Sequence, residues 1–318
     1  MIPDWTPQYV NPSDLPSKWS DQPANSQTKA EIAARYTTIS RMDSGIALFL
    51  KTIHSSDRLS DSIVIFASDN GPPFLRGRTN LYQFGIRTPL IVSHPSHRGV
   101  KSRNGAPRSI LDIFPTIMEW FNLPLPEYNL FGRAVEFTGE SLLSDFSGRT
   151  SGKKLKYIKA DQDVAMSRDV KMSRDVFASQ SFHEVTMNYV MRAVYSGEME
   201  LIQNINHQLP FPIDQDFYIS DQFQQVLVED TDWWSSLQQY YFRSEYELYN
   251  MTQGVEKVNL AANPSYGAVL TKLKGKLSDW QWKTKDPWRC APDGVLQDSG
   301  KYKQNPVCMP LRNTPQLL

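Results

Sequence analysis

Ile32, Tyr36, Ile39, Met42, Ile46, Leu50 and Ile53 recur at helical spacing, the stripe of an amphipathic helix that runs to about His54. Thr28-x-x-Glu31 ahead of it reads as a capping box, placed after a proline-rich, irregular stretch over 1–27. Ser62–Ala67 is a short β-branched run, bounded by Asp61 and by Asp69-Asn70-Gly71, and reads as a buried strand. Thr88–His94 reads as a second. Between Ser109 and Leu123 helical spacing returns in Ile110, Ile113, Phe114, Ile117, Trp120 and Phe121. Pro115 belongs near the first turn there, where its missing N–H costs little. Helix, strand, loop, strand, helix predicts an α/β unit whose sheet is buried on both faces.

The pattern changes after Leu143. Residues 145–175 are polar and rich in Lys, Gly and Ser, and read as a linker or insert. They hold a tandem echo, Met166–Val170 and Met172–Val176, too short for a solenoid and best read as a local duplication. Beyond it, 189–195 and 198–205 flank Ser196-Gly197 as two strands around a hairpin turn, and Tyr246–Met251 is another strand. Asn263-Pro264 opens a helix with the stripe Tyr266, Val269, Leu270, Leu273, Leu277 and Trp280. The fold class expected is α/β over 1–144, then a linker over 145–175, then a smaller antiparallel α+β domain over 176–318.

Composition removes some classes. The 318 residues hold 34 basic and 34 acidic side chains, so no net field recruits nucleic acid or an anionic membrane. A hydrophobic fraction of 40% argues against disorder, and no apolar run is long enough to span a bilayer. Met1 leads into a stretch with neither a basic region nor an apolar core, so it does not read as a signal peptide. The two cysteines, Cys290 and Cys308, have no CxxC and no neighbouring histidine. That argues against zinc and leaves a disulfide or two free thiols.

Candidate chemistry begins at Asp69 and Asn70, just past the carboxyl end of a strand, where α/β sheets place their sites. Carboxylate and amide oxygens side by side suit a hard cation such as calcium, although Asp-Asn-Gly is also an ordinary turn sequence. Arg76 and Arg78 can be read as a clamp on an anionic group or as a solvated loop. His183 and Glu184 are adjacent, but neighbours on a strand point to opposite faces, which makes a simple acid–base dyad awkward. Asp214 and Asp216 share a face if extended and otherwise sit in a surface turn. Asn250-Met251-Thr252 is a glycosylation sequon that matters only in a secreted chain.

Taken in order, "SDSIVIFASDNG", "GRTNLYQFGIRTPLIV", "SILDIFPTIMEWF", "SQSFHEVTM" and "RSEYELYNMTQGVEKVNLAANPSY" resemble the sulfatase family of the alkaline-phosphatase superfamily. Other wording, "IPDWTPQ", "FPIDQDFY" and "DPWRCAPDGVL", resembles members that remove N-linked sulfate from glucosamine in heparan sulfate. The resemblance implies that 1–144 is the C-terminal part of a sulfatase α/β domain, with Asp69 and Asn70 as calcium ligands. It also implies that Arg78 contacts sulfate and that His183 and Glu184 lie near the sugar. Phe182 departs from the pattern, standing where such members have a second histidine. Sulfatases act through a formylglycine made from the cysteine of C-x-P-S-R, and this sequence has none: Cys290 precedes Ala-Pro-Asp and Cys308 precedes Met-Pro-Leu. The chain by itself is therefore expected to be inactive, with further calcium ligands lying outside it. The resemblance further implies a Cys290–Cys308 disulfide, a lysosomal parent reached by the secretory route, and a heparan sulfate-type glycan as substrate; a homodimer stays open. A truncated, non-catalytic glycan-binding paralogue and a phosphoester hydrolase of the same superfamily remain as alternatives.

Overall fold

A computed structural model of the chain describes residues 2, 5–16, 22, 25–97, 107–130, 133–146, 174–183, 187–228, 236–253 and 256–310. The first half holds α1 (Ser26–Ser55), β1 (Val64–Ala67), α2 (Gln83–Ile86), β2 (Leu90–Ser93), α3 (Ile113–Trp120), β3 (Tyr128–Leu130) and β4 (Arg133–Val135). The second holds β5 (Val176–His183), β6 (Met187–Ser196), β7 (Met199–Asn204), α4 (Gln215–Tyr218), α5 (Asp221–Val228) and α6 (Leu237–Tyr241). It ends with β8 (Tyr246–Asn250), α7 (Gly267–Lys283), β9 (Gly294–Gln297) and β10 (Val307–Pro310). The chain divides into two units: Met1–Ser102 with Pro212–Tyr241, and Arg103–Phe211 with Phe242–Leu318. Most of the 145–175 stretch lies outside the described residues.

In the first unit the long helix forms where its stripe predicts, but its cap is not the expected box. Asn25 Oδ1 accepts from the Thr28 N–H at 2.7 Å, so Asn25, another favoured capping residue, starts the helix three positions earlier. That places Thr28 and Glu31 inside the first turns, where they bond to α5 instead. Gln222 Nε2 donates to Thr28 Oγ1 at 3.1 Å and to Gln22 Oε1 at 3.0 Å, and its backbone N–H donates to Glu31 Oε1 at 3.1 Å. β1 and β2 pair antiparallel, Val64 opposite Ser93 and Ala67 opposite Leu90. Among the described residues their sheet has two strands and is not buried on both faces: Ile91 is 59% exposed and the strand residues around it are half-buried. Covering both faces needs layers on either side, and a two-stranded pair supplies too little surface to hold them.

The second unit is built on the sheet β5-β6-β7-β8, antiparallel throughout. Gly197 at φ +62° turns the β6–β7 hairpin, a left-handed conformation that glycine adopts without steric penalty. α7 lays its predicted stripe on one face. Leu273 and Leu277 pack with Val194, Leu201 and Leu248, and Trp280 stacks on Phe177 with ring centroids 5.1 Å apart. The opposite face carries Tyr195, Met191, Glu200, Asn204 and Glu247, all buried, and Asn204 Nδ2 donates to Glu247. β6 is covered on both sides, which is why it reads as a nearly unbroken apolar run. α3 has Pro115 in its first turns as expected, yet Phe114, Ile117 and Phe121 on its apolar stripe are exposed. β9 pairs with β10, and Cys290 and Cys308 form a disulfide with a Cα–Cα distance of 5.3 Å. Closing a loop of this size restricts the unfolded chain by roughly 3 kcal/mol.

Candidate functional site

The segment between β1 and β2 is a tight loop held by its own backbone. Gly71 N–H donates to Gly85 O at 2.6 Å, Arg78 N–H to Pro72 O at 2.8 Å, and Gly77 N–H to Phe74 O at 2.8 Å. A Cβ at Gly71 would land on the backbone of Phe84 and Gly85, so this close approach requires glycine. Phe74, Leu75, Leu81 and Tyr82 point inward and are buried. Arg76 and Thr79 take positive φ, +63° and +73°, sparsely populated for residues with a side chain and held here by the packing around them.

This geometry separates the two arginines, so the pair is neither a joint clamp nor a solvated loop. Arg76 is 2% exposed and its guanidinium lies 4.7 Å over the Tyr82 ring, a core position. Arg78 points the other way. Its Nε donates to Asp214 Oδ2 at 2.7 Å, and its Nη2 donates to Asp214 Oδ1 at 2.8 Å and to Asp216 Oδ2 at 2.6 Å. Asp214 is the N-cap of α4, accepting the backbone N–H of Asp216 at 2.9 Å and of Phe217 at 3.3 Å. It is 4% exposed, whereas Asp216 is 68% exposed and Arg78 25%. The Asp214 hydrogen bond above all, with Asp216 adding to it against a smaller opposing effect of burial, raises the Arg78 pKa and keeps the guanidinium charged. Asn80 ties the loop to α6: its Nδ2 donates to Tyr240 Oη and to Arg78 O, each at 3.3 Å. Arg78 Nη1 has no protein acceptor among the described residues. The site thus presents one guanidinium donor beside an exposed carboxylate acceptor, with a local charge of one positive against two negative.

Asp69 and Asn70 lie at the start of the same loop. Asp69 Oδ1 accepts the Asn70 backbone N–H at 2.9 Å, and Asn70 Nδ2 donates to Gly71 O at 2.8 Å. These bonds orient the amide and leave Asn70 Oδ1 and Asp69 Oδ2 without protein partners among the described residues. The two oxygens are of the hard type calcium prefers, but calcium takes six to eight. Among the described residues no three His, Cys, Asp or Glu side chains come together as a metal-holding group. Alone, these residues do not build the site.

His183 ends β5, opposite Met187 in the ladder, and Glu184 lies outside the described residues. Phe182 is exposed. Asn250 ends β8 and turns its Oδ1 onto Thr252. Asp214 is the residue that sequence reasoning placed in a surface turn; it is a buried cap joined to Arg78. A signal for the cap was present, since Asp ahead of a short polar–aromatic run is an N-cap pattern. Nothing local pointed to a partner 136 positions away.

Residues 7–123 match the family model described as Sulfatase. Over 98% of its length this chain is 41% identical to N-sulphoglucosamine sulphohydrolase from Homo sapiens. Residues 7–123 are thus a sulfatase-like segment. The chain spans 59% of the length of that human relative. Among solved structures, a 2-O GAG sulfatase superposes with TM-score 0.52 at 16% identity, over 85% of this chain and 45% of that one. A phosphonate monoester hydrolase from Silicibacter pomeroyi gives TM-score 0.51 at 13% identity, over 95% and 49%. Both identities are low enough that the likeness is one of fold, which is α/β and alkaline-phosphatase-like. No described helix is long and apolar enough to cross a membrane.

Proposed function

We propose that this chain forms part of a sulfatase-family hydrolase that removes N-linked sulfate from glucosamine in heparan sulfate-type glycans, working in the lysosome. The observation that carries the reading is the 41% identity to the human sulphohydrolase, which runs over both segments that build the Arg78–Asp214 site. In this reading Arg78 donates through Nη1 to an oxygen of the sulfated amino sugar, while Asp216 accepts from a sugar hydroxyl. Asp214 holds the guanidinium in plane for that contact, and the Asn80–Tyr240 bond fixes the loop. His183 and Glu184 are assigned to recognition of the sugar by the family resemblance alone. Asp69 and Asn70 would supply two of the oxygens that hold a calcium ion, which would neutralise charge on the sulfuryl oxygens.

The nucleophile is not among these residues. Both cysteines are joined in the disulfide and the sequence has no other, so no cysteine here is free to become formylglycine. The chain incubated with N-sulfated glucosamine is therefore expected to release inorganic sulfate at the background rate only. In an NMR titration N-sulfated glucosamine shifts amide signals of 68–82 and 212–218, and glucosamine without sulfate shifts them less. Sulfate release above background by the chain alone overturns the inactivity. Equal responses to the two sugars, or none, overturn the assigned site.

A further inference from the structure

Asn250-Met251-Thr252 plays no part in the site above. Across the 318 residues every other Asn-x-Ser/Thr triplet has proline at its centre, Asn11-Pro12-Ser13 and Asn263-Pro264-Ser265, and proline there blocks glycan transfer. The structure gives the remaining triplet a defined shape. Asn250 is the last residue of β8, opposite Met199, and the next N–H, that of Met251, closes the ladder onto Glu198 O at 2.8 Å. Beyond that point the chain leaves the sheet. Thr252 folds back, its backbone N–H donating to Asn250 Oδ1 at 3.0 Å and its Oγ1 donating to the same oxygen at 2.8 Å. With Oδ1 turned onto the threonine, the amide directs Nδ2 away from it, and Nδ2 has no protein acceptor among the described residues. Asn250 is half-buried and Thr252 exposed. A substituent on Nδ2 breaks no hydrogen bond of the sheet.

A second, independent feature points to the compartment where such a substituent is added. Both cysteines of the chain are oxidised into one disulfide, a state that persists in secretory and extracellular spaces and is rare in the cytosol. We propose that Asn250 is the acceptor of an N-linked glycan, the only one the sequence permits. Nδ2 bonds to the anomeric carbon of an oligosaccharide, the lipid pyrophosphate that carried the sugar leaves, and the amide loses one proton; no oxidant or reductant takes part. The inference is independent of the sulfatase reading, because it uses neither Arg78 nor the loop around it.

The test is intact-mass measurement of the full chain, secreted from a eukaryotic cell behind an added leader, before and after peptide-N-glycosidase. One glycan-sized step that the enzyme removes is expected, with Asn250 converted to Asp. Asn250→Gln and Thr252→Ala abolish the step, and Thr252→Ser retains it, while a non-reducing gel reports the disulfide in each variant as a check on folding. Pro264→Ala provides the control for the transfer machinery, since it opens the exposed Asn263 triplet and adds a second step. A secreted, disulfide-bonded chain without a step overturns the proposal. So does a Pro264→Ala chain that gains a glycan at Asn263 while Asn250 stays bare.

Discussion

Arg78–Asp214 in the first unit and Arg192–Asp286 in the second share a contact geometry. Each arginine meets both carboxylate oxygens through Nε and Nη2, at 2.7 and 2.8 Å in one pair and 2.6 and 2.9 Å in the other. Both close long sequence gaps. They differ in what happens to the rest of each group. Arg192 is 5% exposed, and its Nη1 donates to Gln180 O at 3.0 Å and to Met191 O at 2.8 Å. Asp286 also accepts from Gln281 Nε2 at 3.2 Å and from the Trp288 N–H at 3.0 Å. Every face of that pair is used by the fold. Arg78 stands at the rim with one nitrogen unused by the described protein and an exposed carboxylate beside it. Saturation marks a pair that holds structure; an open donor at the surface marks one available to a ligand.

The largest expected effect lies on the saturated side. Asp286→Ala removes one partner of a buried pair and leaves a guanidinium stranded in the interior, so a loss of about 3–5 kcal/mol is expected. Chemical denaturation of the purified chain measures it. A loss under about 1 kcal/mol would mean that Arg192 finds another partner at once, and the contrast between the pairs would fail.

Acid provides a graded version of the same break. Burial pushes the Asp286 carboxyl up, but the Arg192 hydrogen bonds and charge, with the N–H donors of Trp288 and Gln281, outweigh it and hold the pKa below the ordinary 3.8. A pKa lower folded than unfolded means that the contribution is complete above the ordinary carboxylate range. It fades as pH falls through the folded value. Denaturation midpoints of the native chain and of Asp286→Asn, followed from neutral pH to below pH 3.8, are expected to converge at the acid end. A gap that stays constant throughout contradicts the shift.

The contrast also shows what the sequence could disclose. The α7 stripe, the Ser196-Gly197 hairpin and the strand Tyr246–Asn250 were legible because each is encoded in contiguous residues, by a period of 3.6, a turn residue or alternation. The α1 cap was displaced because Asn25 and Thr28 are both good capping residues, and the choice between them was settled by Gln222 reaching Thr28 from far along the chain. Burial on both faces of β1 and β2 was inferred from β-branched content, which reports a strand but not how many layers cover it. Asp69, Asn70 and Arg78 were singled out together only through a family motif. The roles separating Arg76 from Arg78 follow from the positive φ at Arg76 and Thr79 and from Asp214, none of which a local pattern reveals.

The smallest stability effect belongs to the open pair, and there it should part from the effect on binding. Arg78→Lys keeps the charge but loses the flat fork that meets Asp214 through two nitrogens. Asp214 Oδ1 keeps the Asp216 and Phe217 N–H groups and the lysine ammonium still neutralises the carboxylate, so the change in stability is expected to be about 1 kcal/mol. Ligand recognition has no such fallback, because an ammonium cannot serve Asp214 in two places and still offer a directed donor outward. N-sulfated glucosamine should therefore raise the melting temperature of the native chain, as any ligand of the folded state does, and leave that of Arg78→Lys nearly where it was. If the two melt alike and respond alike, the nitrogen at the rim is only solvated, and Arg78–Asp214 is a second structural pair at the surface.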